Sequence, residues 1–144
     1  MSEAKSRRME DKQTFLRKFG QCSNELQQIF TQTRNRALVR CVGTDWGYTN
    51  KPDFRFSLGK TQNRNWETYA ELLFKRMRLL CNLRIDGMNR ETLRNSVETI
   101  QFHTSPERLQ RPGENLVSFV ISGNQIDDAV SLISQVFTHH LANN

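Results

Sequence analysis

Trp46 and Tyr48 lie in a polar stretch from Gly43 to Pro52, flanked by Arg40, Lys51 and Arg55. Flat rings beside cations can stack unpaired bases while holding their phosphates, and each stacked base contributes about 1–3 kcal/mol. A tryptophan in such a loop can instead fold back onto its own fold, because large aromatics usually bury most of their area. A second group comprises Lys60, Arg64, Lys75, Arg76, Arg78, Arg84, Arg90 and Arg94, with Arg108 and Arg111 further along. Together with Arg36 on the N-terminal side, these residues have the composition to track a phosphate backbone. Affinity of that kind comes from counterion release, so it predicts little sequence preference and a steep loss with salt.

The charge is local. Residues 34–112 hold twelve Arg and three Lys against eight acids, a net +7, whereas residues 113–144 hold three acids and no Lys or Arg. Across the chain fifteen of the twenty-one cations are arginine. The planar guanidinium pairs bidentately with phosphate and carboxylate, so this weighting points to a polyanionic or acidic partner.

Motifs for catalysis fall short. Asp53 and Lys60 suggest a metal-dependent nuclease, but the acid that should stand two residues before the lysine is Leu58. Gly59-Lys60-Thr61 ends like a phosphate-binding loop, yet the first glycine of that motif is replaced by Phe54. His139 and His140 are adjacent and point about 100° apart on a helix, which does not suit one metal. Cys22, Cys41 and Cys81 are odd in number and widely spaced, as expected of buried free thiols. No cofactor or metal is implied. The expected function is a nonenzymatic nucleic-acid-binding domain, RNA favoured over DNA. The alternative is a protein-interaction adaptor or assembly subunit whose arginines and C-terminal helix bind partner proteins or a second copy.

The elements that must position these residues predict an α+β fold with a small, mostly antiparallel sheet packed by helices. Residues 1–9 are polar and mixed in charge, consistent with a disordered lead-in to one domain over 10–144. Phe15, Phe19, Cys22, Leu26, Ile29 and Phe30 recur at helical spacing and predict a helix over 11–32. Strands are expected at 37–42 and 53–58, joined as a hairpin with a long tip; Phe54, Phe56 and Leu58 share one face of the second. Trp66, Tyr69, Ala70, Leu73, Met77, Leu80 and Cys81 form an apolar stripe that predicts a helix over 65–81. Residues 82–114 give no single pattern. The apolar run 116–121 predicts a strand central in the sheet, and 125–141 a terminal helix. On that helix Leu132 and Val136 fall off the core stripe and are expected to be partly exposed, as a protein interface would require. The absence of an apolar run long enough for a membrane span or a secretory signal suggests an intracellular protein, cytoplasmic or nuclear.

Overall fold

The computed structural model describes residues 3–49, 54–88, 100–102 and 115–142, with residues 3–10 and 62 described by their backbone alone. In chain order the elements are α1 (Glu3–Gly20), α2 (Asn24–Arg40), β1 (Asp45–Thr49), β2 (Arg55–Gln62), β3 (Asn65–Lys75), β4 (Arg78–Arg84), β5 (Leu116–Val120) and α3 (Ile126–Ala142). The strands form one antiparallel sheet in the order β1-β2-β3-β4-β5, packed by the helices, so the fold is α+β.

The first helical region is two helices. α1 begins at Glu3, inside the stretch whose composition suggests a disordered lead-in, and stops at Gly20. A short turn follows, and Ser23 caps α2, its hydroxyl accepting from the Leu26 N–H at 3.2 Å. α2 then runs through Ala37–Arg40, where a strand is expected. Burial at Ile29, Thr33 and Ala37 repeats every four residues and carries the helix on, leaving β-branched Val39 and Val42 at 75% and 78% exposure. Packing of the helical face thus overrides a local β preference. The expected hairpin over 37–58 is in fact β1 paired with β2, Trp46 opposite Leu58 and Tyr48 opposite Phe56.

The expected helix over 65–81 is a β-hairpin. Tyr69, Ala70, Leu72, Leu73 and Phe74 are all buried, so β3 buries apolar residues on both faces, with Glu71 interspersed, and the run satisfies a helical period by accident. Arg76 and Met77 form the two-residue turn between β3 and β4 at φ 53° and 62°, without the glycine or asparagine that normally marks such a turn.

By alternation Phe56, Leu58, Leu72, Phe74, Leu79, Cys81 and Leu83 share one face of the sheet. Onto it α1 and α2 lay Phe15, Phe19 and Phe30, and Phe137 of α3 meets Tyr69 edge-on at 5.2 Å. α3 also packs against α2. Held from two sides, it buries Leu132 and Val136 completely, which corrects their expected exposure and removes them as a surface on this fold. β5 ends the strand order rather than sitting centrally; beyond it lies one isolated bridge, Phe102 to Phe119. Its apolar character reflects the cover over Val117 and Phe119, both fully buried.

Candidate functional site

Across the β2–β3 ladder the register slips: Leu58 faces Ala70, but Gly59 faces Thr68, leaving Tyr69 as an extra residue on β3. A bulge of this kind redirects every side chain beyond it. Before the slip Glu71 and Ser57 share the face away from the helices. Strict alternation would place Trp66 and Thr68 on the helix side with Ala70; the bulge returns them to the open face, opposite Thr61 and Gly59.

The result is a cleft of about 1040 Å³ that takes in side chains from both faces at the β1 edge. Trp46 enters from the helix side, stacked on Phe56 at 5.6 Å and edge-on to Tyr48 at 5.7 Å, yet 49% exposed. Trp66 enters from the open side, 42% exposed, its indole N–H donating to Thr68 Oγ1 at 2.6 Å. Both rings are therefore held in place and half bare. Tyr48 is an anchor instead: its ring packs 4.6 Å from Phe15 and its hydroxyl accepts from Arg34 at 3.4 Å.

Arg55 lies on the cleft floor and is committed to Glu71, with bonds of 3.0 and 3.2 Å between side chains only 17% and 18% exposed. Asn82 donates to the same carboxylate at 3.2 Å. Thr61 closes the rim by donating its N–H to Asp45 at 3.1 Å. Cleft charges balance: Asp11, Asp45 and Glu71 against Lys12, Arg55 and Arg64.

The other expected cations separate into groups rather than forming one surface. Arg64 is exposed at the β2–β3 turn, at φ 67°. Lys60 is half-buried opposite Glu67. Arg84 is held by Asp86 at 2.6 and 3.2 Å and approaches Glu67 at 4.0 Å, while its carbonyl accepts from His140 Nε2 at 2.7 Å. Arg36 pairs with Asp127 at 2.6 Å on the helix layer, where Arg40 is exposed nearby at the end of α2. Lys75, Arg76 and Arg78 surround the β3–β4 turn with Met77, which is 93% exposed. None of these three cations is in an ion pair among the described residues. Lys18 of α1 adds to this end, 5.9 Å over the Phe54 ring, which stacks on Phe74 next to Lys75 at 4.6 Å. Lys51, Arg90, Arg94, Arg108 and Arg111 lie outside the described residues.

Trp66, Met77, Lys12 and Lys18 join the candidate surfaces although their spacing gives no functional signal. The only trace of Trp66 was alternation with Thr68, which the stronger apolar stripe hides. The cysteines are poor nucleophiles. Burial pushes the Cys41 thiol up to about 11 against the opposing pull of Arg40, and raises Cys81 further, with Glu71 adding to the effect. Among the described residues no cluster of three or more His, Cys, Asp or Glu side chains could hold a metal ion, and no helix is long and apolar enough to cross a membrane. The chain matches none of the protein-family models, curated proteins or solved structures with which it was compared.

Proposed function

We propose that this chain is a nonenzymatic, intracellular nucleic-acid-binding domain, RNA favoured over DNA, that grips phosphates with the β3–β4 hairpin tip. The observation that carries this is Lys75, Arg76 and Arg78 gathered without ion-pair partners among the described residues around a turn whose two residues hold positive φ. Lys75 and Arg78 stand directly opposite each other, and like charges so placed destabilise a hairpin. Non-glycine residues in left-handed turn positions add about 1 kcal/mol or more of strain each. Such a tip suits a ligand that neutralises it, and Lys18 adds a fourth cation at the same end. RNA is favoured because the half-bare indoles suit unpaired bases, the usual target of RNA recognition.

Fluorescence anisotropy with single-stranded RNA at rising salt tests this. Three or four phosphate contacts predict a slope of log affinity against log salt of about −2 to −3. Arg76→Glu with Arg78→Glu is expected to weaken binding at least tenfold and flatten that slope by about 1–2. No binding to any RNA or DNA at low salt, or an unaltered variant, sinks the proposal.

A further inference from the structure

We infer that the cleft at the β1 edge takes unpaired nucleobases against the Trp46 and Trp66 indoles, so that the sheet grips one single strand at two points, bases in the cleft and phosphate at the β3–β4 tip. This rests on the nucleic-acid reading of the hairpin tip and adds to it the state of the ligand. The cleft and the tip differ in chemistry. At the β3–β4 tip the charge is unbalanced; in the cleft it is balanced, and Arg55 is already bound to Glu71. A phosphate channel would need a surplus of cations, which this cleft lacks. It offers instead two indoles whose neighbours fix their orientation, Phe56 and Tyr48 for Trp46 and Thr68 for Trp66. Rings already held in place lose little freedom when a base stacks on them.

Hydroxyl groups of Ser57, Thr61 and Thr68 line the same space, and each can donate to or accept from a base edge. A volume of about 1040 Å³ accommodates a nucleotide, since drug-sized ligands occupy pockets of roughly 300–1,000 Å³. Arg64 and Lys12 are the cleft cations left to meet the flanking phosphates. β3 sets the separation: nine residue steps run from Trp66 to Lys75, about 30 Å of strand. At about 3.4 Å per stacked nucleotide that span corresponds to roughly ten nucleotides, fewer if the strand is stretched. Joining the two contacts through one strand raises affinity without any new contact.

The test uses the full chain with single-stranded RNA of four, eight, twelve and sixteen nucleotides, and a sixteen-base-pair duplex. Anisotropy and tryptophan fluorescence are read together. The expected result is quenching by single strands, an affinity that climbs between four and about twelve nucleotides, and weaker duplex binding without quenching. Trp66→Ala is expected to weaken single-strand binding about five- to a hundredfold while leaving duplex binding unaltered. Trp66 is exposed, so circular dichroism should confirm an intact fold. Trp46→Phe retains a ring on Phe56 and is expected to weaken single-strand binding less. If Trp66→Ala binds like the parent and duplex equals single strand, while Arg76→Glu with Arg78→Glu still weakens binding at least tenfold, the cleft inference is overturned and the phosphate-gripping tip survives. Saturation of the tryptophan signal by a neutral oligosaccharide or a peptide, with no response to RNA, also overturns it.

Discussion

Gly59 and Glu67 meet where β2 and β3 slip register. A Cβ on Gly59 would lie 2.9 Å from the Glu67 carbonyl carbon, closer still to its oxygen, and 3.0 Å from the Thr68 Cα. These are backbone atoms that cannot swing aside. The absence of a side chain at position 59 is thus what lets the bulge close and turns Trp66 to the open face.

Gly59→Ala is expected to cost about 1–3 kcal/mol through overpacking against backbone, more than alanine recovers by restricting the unfolded chain. Thermal denaturation should show a midpoint several degrees lower, and Trp66 fluorescence should shift as its ring is displaced. An unchanged midpoint contradicts the close approach.

The β3–β4 turn predicts opposite changes in stability and function. Replacing Arg76→Asn and Met77→Gly together supplies the residues preferred at positive φ, and stability is expected to rise by about 1 kcal/mol. The same change removes a cation and the exposed methionine, so RNA affinity should fall. Urea denaturation and anisotropy on one preparation check both.

Asp86 contributes to acid sensitivity. Burial alone would raise its carboxyl, but the Arg84 hydrogen bond and charge outweigh burial, with help from its own backbone and from His140, and hold it below 3.8. A carboxyl depressed in the folded state adds stability above its unfolded value and loses it as pH falls through the folded value. Asp86→Asn should therefore be less stable than the parent at pH 6, with the gap closing below about pH 4. Denaturation midpoints from pH 7 to 3 measure it, and a gap that is constant with pH contradicts it.

Thiol reactivity should follow burial. With Cys41 raised to about 11, roughly one thiol in a thousand is ionised at pH 8, and fully buried Cys81 is less ionised still. Alkylation of the native chain should start at half-buried Cys22, and Cys81 should react only at the rate of global opening. Mass spectrometry of timed samples distinguishes the sites; rapid labelling of Cys81 in the native chain contradicts the buried setting.

The α+β class, the strand carrying Phe56 and Leu58, found at Arg55–Gln62 rather than 53–58, and the terminal helix are legible in the chain because their patterns repeat a single period. The β3–β4 hairpin is not, since apart from Glu71 the run Tyr69 to Phe74 is apolar and buried on both faces, and Arg76-Met77 carries no turn residue. The end of α2 misleads for the opposite reason: Val39 and Val42 suggest a strand, whereas buried Ala37 and half-buried Leu38 hold the segment to the core as helix. Trp46 stands out in the sequence as a candidate ring in a polar stretch, without its exposure being decided, whereas Trp66 looks like helix core until the bulge reverses its side.

The sequence by itself determined the fold class and the surplus of arginine over acid. Those depend on local period and composition, which need no knowledge of neighbours. Tertiary structure alone decided which arginines remain unpaired. Glu71, Asp86 and Asp127 neutralise Arg55, Arg84 and Arg36 across separations of 16, 2 and 91 residues, whereas Lys75, Arg76 and Arg78 meet no such partner among the described residues. Charge pairing acts over ångströms in space, and chain distance does not encode it.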